Sequence, residues 1–181
     1  MPSHALIVDI GGGSTELVLS LQQRVVWSRS LPLGGVRLAE EHRAPAGREN
    51  VIEAALAVLK LELDEACCSA GLDSADLDLV GTAGTITTLA ALDMQMVDYD
   101  WRRVNNYRMS LSRLQDWQAR LAPLTLVERE ALPGVDAGRG DLIVVGLEII
   151  LCLMRQMNTD SLTVSDFGLL EGVLLSMQNP G

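Results

Sequence analysis

Val8-Asp9-Ile10-Gly11-Gly12-Gly13-Ser14-Thr15-Glu16 decides how the chain is read. The apolar run Ala5 to Val8 has the character of a buried strand and ends on an aspartate before three consecutive glycines. The pattern resumes at Thr15 to Leu21, with Leu17, Leu19 and Leu21 alternating against Glu16, Val18 and Ser20. Period-2 alternation is the mark of a half-buried strand, so the glycines are predicted at the tip of a hairpin. Glycine turns sharply and lets bare backbone amides approach a ligand. Amides converging on one concavity beside the Ser14 and Thr15 hydroxyls suit a phosphate. Asp9 ends one strand and Glu16 begins the next, so both carboxylates reach the same mouth. Carboxylates beside a phosphate cradle point to a divalent cation.

Two other phosphate loops are excluded. A P-loop requires a lysine after its glycines, and the single lysine, Lys60, lies in a helical stretch. A dinucleotide fingerprint requires a helix directly after the glycines, where this chain has a strand pattern. A plain glycine-rich turn is the simpler alternative, but it leaves the flanking acids without a role.

The rest of the chain is ordered around this hairpin. Gln22-Gln23 makes a turn, and Arg24 to Leu33 reads as a third strand, completing an antiparallel meander. Leu31-Pro32-Leu33-Gly34-Gly35-Val36-Arg37-Leu38 leads into a short helix ending near His42, and Ala44 to Gly47 is a loop. Asn50 with Glu53 forms a capping-box pattern for a helix to about Ala70, whose apolar face includes Cys67. Leu77 to Val80 is a fourth strand, followed by Gly81-Thr82-Ala83-Gly84-Thr85 and a helix from Ile86 to Leu92. Regularity fails from Met94 to Met109, where Arg102, Arg103 and Arg108 concentrate positive charge; a solvated loop and a substrate-facing role are both open. Ser112 with Gln115, and Thr125 with Glu128, have capping-box spacing for two further helices. Arg139-Gly140-Asp141 precedes a helix from Leu142 to about Met157, apolar nearly all round and therefore central; Glu148 within it requires a partner. Leu162 to Val164 is a fifth strand, Ser165-Asp166-Phe167-Gly168 a third strand-to-helix turn, and Leu169 to Met177 a closing helix. The expected architecture is a mixed five-stranded α/β sheet with helices on both faces and the three glycine turns at one end, where α/β ligand sites lie.

Composition sets limits. The 181 residues suit one domain, and an apolar share of 48% provides an ample core. A net charge of −10 argues against nucleic-acid binding. Two histidines, His4 and His42, make a histidine metal site or a Ser–His–Asp triad unsuitable, so acid–base chemistry rests on carboxylates. Three cysteines without a CxxC pair or disulfide framework fit a reducing cytoplasm. The apolar run Leu142 to Met154 is too short for a membrane span.

The ordered set of the triple-glycine loop, the LPLGGVRL segment, Gly81 to Thr85, Arg139-Gly140-Asp141 and Val164 to Gly172 resembles the exopolyphosphatase/guanosine pentaphosphate phosphatase (Ppx/GppA) family, almost end to end. The resemblance implies a ribonuclease-H-like domain of the sugar kinase/Hsp70/actin superfamily. It further implies the second of two such domains, with the active site between them. The family's first phosphate loop, a DxGSNS-like motif, and its upstream glutamate base do not occur in this sequence, which suggests an excised or truncated domain. By the same resemblance Gly11, Gly12, Gly13, Ser14 and Thr15 hold terminal phosphates of polyphosphate or guanosine pentaphosphate. Asp9 and Glu16 bind Mg²⁺ and help position the attacking water. Gly84 and Thr85 line the cleft, and Arg139 either reaches phosphate or pairs structurally. Leu170 stands where relatives often carry arginine. The implied activity is hydrolysis of terminal phosphoanhydride bonds by the whole protein, with the fragment inactive alone. A nucleotide- or polyphosphate-binding sensor without turnover is the alternative, and a phosphotransferase ranks below both. The implied partners are the substrate, the protein's own N-terminal domain and, in one arrangement, a second copy in a homodimer.

Overall fold

A computed structural model describes residues 2–42 and 45–168. β1 (His4–Ile10) and β2 (Thr15–Leu21) pair antiparallel, with Asp9 opposite Glu16 and Ile10 opposite Thr15. β2 continues into β3 (Arg24–Leu31) through Gln22 and Gln23, at φ of 50° and 65°. Two successive left-handed residues give the type I′ geometry that matches strand twist.

The other half of the sheet grows from the opposite edge of β1. β4 (Asp78–Thr82) runs parallel to β1, β6 (Ser161–Val164) runs parallel to β4, and β5 (Arg108–Ser110) closes the far edge antiparallel to β6. The sheet therefore has six strands, in the order β3-β2-β1-β4-β6-β5, not five. The additional strand falls in the stretch expected to be irregular. At three residues it is too short to carry a period-2 signal.

Leu6, Val8, Ile10, Leu17, Leu19, Leu79, Leu162 and Val164 are buried and lie in register across the sheet, forming its core face. Against them pack α2 (Pro45–Ser69), through Ile52, Leu56, Leu59 and Leu63, and α3 (Ala83–Asp93), through Ile86 and Leu89. α7 (Gly140–Gln156) lies among α1 (Gly35–Glu41), α2, α3 and α5 (Leu111–Leu121), and buries eleven of its side chains or backbone positions, from Gly140 to Met154. It is the central helix that its composition requires. The closing helix expected over Leu169 to Met177, and with it Leu170, lies outside the described residues.

Local boundaries differ from expectation at two places. α2 begins at Pro45 rather than after Asn50, since proline is favoured in the first helical turn, where its missing N–H is no loss. This replaces the expected loop. α5 is capped by Ser110, whose hydroxyl accepts from the Arg113 amide, rather than by Ser112. The expected Thr125–Glu128 capping box is present in full at α6 (Leu126–Glu130). Cys67 and Cys152 are buried, and burial pushes both thiols up, which suits packing rather than redox chemistry. No helix among the described residues is long and apolar enough to cross a membrane.

Glu148 has its partner. Arg48 donates from Nε to Oε2 at 2.7 Å and from Nη2 to Oε1 at 2.8 Å, with side-chain exposures of 9% and 13%. This fork ties α2 to α7, and Arg48 also donates to the His42 carbonyl at 3.0 Å. Removing Glu148 deprives this buried guanidinium of its bidentate carboxylate. Glu148→Ala is expected to lower stability by about 3–5 kcal/mol, measured by urea unfolding.

Candidate active site

The four residues Gly11 to Ser14 connect β1 and β2. The Gly11 and Gly12 carbonyls are turned toward α1. Gly35 donates its amide to the Gly11 carbonyl at 3.0 Å, and Val36 and Arg37 donate to the Gly12 carbonyl at 3.0 and 3.2 Å. The first turn of α1 thus satisfies its free amides on the loop instead of on a ligand. The contact is backbone to backbone: a Cβ on Gly34 would lie 2.3 Å from the Gly12 oxygen. With the Gly11 and Gly12 carbonyls fixed, the amides of Gly12 and Gly13, which share those peptide planes, point the other way, and neither donates to backbone elsewhere among the described residues. Gly12 and Gly13 are exposed.

Three expected phosphate donors are corrected by these contacts. The Gly11 amide donates to the Ser14 carbonyl at 2.9 Å and closes the turn. Thr15 is fully buried, and its hydroxyl donates to the Leu33 carbonyl, so it clamps the two loops instead of facing a ligand. The Thr85 hydroxyl donates to the Ile10 carbonyl at 2.9 Å. Its methyl sits over Gly146 of α7, where a Cβ would come within 2.0 Å. Thr85 lines the site, but its polar group fixes the end of β1.

Because β1, β4 and β6 are parallel, their carboxyl ends share one edge of the sheet, as expected. Two of the three turns there bound a cleft of about 460 Å³ with Gly11, Gly12, Gly35, Gly84, Thr85 and Arg139 among its walls. The Arg139 guanidinium lies on Gly84, its Nη1 2.2 Å from where a Cβ would be. Only glycine admits it there. Its one recorded ion pair is long, 3.7 Å to Asp136, and the side chain is 42% exposed. Arg139 therefore faces the cleft as a charged fork beside the first turn of α3, which favours an anion. No carboxylate lines this cleft among the described residues.

The acids stand beside it. Glu16 accepts from the Ser14 hydroxyl at 2.6 Å and the Ser30 hydroxyl at 2.7 Å, both at Oε1, which leaves Oε2 uncommitted to either hydroxyl. Ser30 had no sequence signal; its role follows from its register opposite Glu16 in β3. Burial first, and then the Glu16 charge, hold the Asp9 carboxyl above its ordinary range. Asp9 and Glu16 are hard oxygen donors of like charge, paired in register, the donor type that a Mg²⁺ ion would accept. No group of three or more metal-ligating side chains occurs among the described residues.

The third turn is braced by the excursion that had seemed irregular. Tyr99 donates its hydroxyl to Asp166, Asn105 accepts from the Asp166 amide at 3.3 Å, and Trp101 packs on Phe167 with ring centroids 5.6 Å apart. Burial and the Asp166 carboxylate push Tyr99 up to about 12. Arg102 stacks on Trp101, and Arg102, Arg103 and Arg108 are exposed and absent from the cleft walls.

Comparison with known proteins decides the family. The Ppx/GppA phosphatase family model matches residues 2–180. The chain belongs to the Ppx/GppA phosphatase family. It is 36% identical over 178 residues to exopolyphosphatase 2 of Mycobacterium tuberculosis, covering 95% of this chain and 55% of that protein. It is 27% identical to a guanosine-5'-triphosphate,3'-diphosphate pyrophosphatase of Aeromonas salmonicida, covering 34% of it. A Ppx/GppA phosphatase of Aquifex aeolicus matches with a TM-score of 0.80 at 31% identity, over 97% of this chain and 57% of that one. The chain spans about half the length of the mycobacterial exopolyphosphatases it matches. The ribonuclease-H-like fold class holds with the sixth strand added.

The raised Asp9 carboxyl has a consequence for stability. Between its ordinary 3.8 and the raised folded value, the folded protein retains a proton that the unfolded chain has released. The associated stability is complete below 3.8 and is lost as pH rises through the folded value. Asp9→Asn removes this loss, so the variant is expected to melt higher than the parent at pH 7, with the gap closing toward pH 3, followed by thermal unfolding at both pH values.

Proposed function

We propose that this chain supplies the triple-glycine jaw of a Mg²⁺-dependent phosphoanhydride hydrolase acting on terminal phosphates of polyphosphate or guanosine pentaphosphate. One observation carries the reading: the cleft at the carboxyl ends of β1 and β4 has two glycine turns and Arg139 among its walls and no carboxylate among the described residues, while Asp9 and Glu16 pair in register beside its loop. The Gly12 amide, with that of Gly13 beside it, and the Arg139 fork hold the phosphate oxygens. Phosphoryl transfer is catalysed chiefly by positioning and charge stabilisation, and such donors provide both. Asp9 and Glu16 would hold Mg²⁺, which when bound neutralises phosphate charge. The Ser14 and Ser30 hydroxyls orient Glu16 by fixing one of its oxygens.

Hydrolysis also needs a base within hydrogen-bond reach of the attacking water. The described residues place none in the cleft, so the isolated chain is expected to bind phosphate without turning it over at the rate of the full-length protein. In the full-length protein, Asp9→Ala and Glu16→Ala are each expected to reduce phosphate release from polyphosphate by at least about a hundredfold, with circular dichroism unchanged. Parent-like release from both variants would remove the metal assignment. Rapid release by the isolated chain would place the base within it.

A further inference from the structure

The short helix α6 adds nothing to the core, since none of its five residues is buried, yet its capping box is complete. It packs on the segment that leads into α7. Glu130 accepts the Gly138 amide at Oε1, at 2.8 Å. Gly138 has a φ of 81°, a left-handed turn open to glycine. Gly140 is buried, and a Cβ there would come within 2.8 Å of Leu126 Cδ1 and 3.0 Å of Glu130 Cγ. Arg129 donates from Nη1 to Asp141 at 2.9 Å and from Nε to the Leu121 carbonyl at 3.1 Å. The chain is thus held from α6 on both sides of Arg139.

Helix stability gives no reason for an arginine at this point. Arg139 occupies the N-cap of α7, and its side chain makes no capping hydrogen bond. Short polar side chains are favoured there, and the helix dipole disfavours a cation. The guanidinium instead reaches Gly84, where its Nη1 stands 2.2 Å from the place of a Cβ. A fit that would not admit one methyl group tolerates little error. A displacement of about 1 Å at residue 139 would misplace the fork against a phosphate oxygen. Glu130 supplies a charge-assisted bond to the preceding residue, the kind that fixes backbone most firmly.

We infer that Glu130 is a positioning residue for Arg139: by holding the Gly138 amide, it sets where the guanidinium enters the phosphate cleft. Glu130 is absent from the walls of that cleft, so it acts through the backbone. The Arg129–Asp141 pair supports the other flank of the same segment. The inference rests on the phosphate reading of the cleft, which provides the anion that Arg139 meets. What the role requires of residue 130 is an acceptor oxygen at the right reach, not a negative charge.

The test uses the full-length protein and inorganic triphosphate, with affinity read by calorimetry. Glu130→Ala is expected to weaken binding about tenfold. Glu130→Asp, which keeps the charge but falls one methylene short, is expected to behave like Glu130→Ala. Glu130→Gln keeps the acceptor at the same reach and is expected to restore affinity to within about twofold of the parent. In an Arg139→Ala background, Glu130→Ala is expected to cost nothing further, as for groups that act through one another. Parent-like binding by Glu130→Ala, restoration by Glu130→Asp rather than Glu130→Gln, or a Glu130→Ala penalty undiminished in the Arg139→Ala background would each overturn the inference. Arg139→Ala binding triphosphate as tightly as the parent would instead strike the phosphate reading of the cleft, and the inference with it.

Discussion

The site depends on one backbone-to-backbone contact. The first amides of α1 hold the Gly11 and Gly12 carbonyls, and Gly34 has no side chain to keep the two segments apart. Peptide planes are rigid, so turning a carbonyl one way turns the neighbouring amide the other. The direction in which the loop's amides point is therefore set by a second segment of the chain. Thr15 reinforces the arrangement from beneath by donating to Leu33. The glycines at the tip provide permission, and the LPLGG segment provides the orientation.

The same division explains what could be read from residue order. Alternation on either side of the glycines is a local property of the backbone, so the hairpin, the meander and the Asp9–Glu16 pairing were legible. So was the long buried helix, because its apolar residues run all round. Hydroxyl commitments were not legible. Thr15 finds its partner 18 residues away and Thr85 finds its partner 75 residues away, and no spacing rule reaches across such distances. Both threonines looked like phosphate donors beside their glycines; folding assigned each to a carbonyl. Ser30, which steadies Glu16, carried no signal because only strand register brings it there.

The region from Met94 to Met109 shows the opposite case. Its mixed composition left a solvated loop and a substrate-facing role both open, yet Tyr99, Trp101 and Asn105 brace the turn after β6, and Arg108 to Ser110 extend the sheet. Short irregular segments can carry tertiary contacts without periodicity, since each contact needs one residue and no repeat.

The cleft draws Gly12, Gly84 and Arg139 from distant parts of the chain, and Thr85 joins two of those parts by reaching from α3 to the end of β1 across α7. No single hairpin or helix pair contains a usable fraction of it. An anion bound there interacts with the native state alone and so stabilises the whole domain by mass action instead of one loop. The concentration of such a ligand would then act on the folding equilibrium itself, and resistance to unfolding would measure site occupancy.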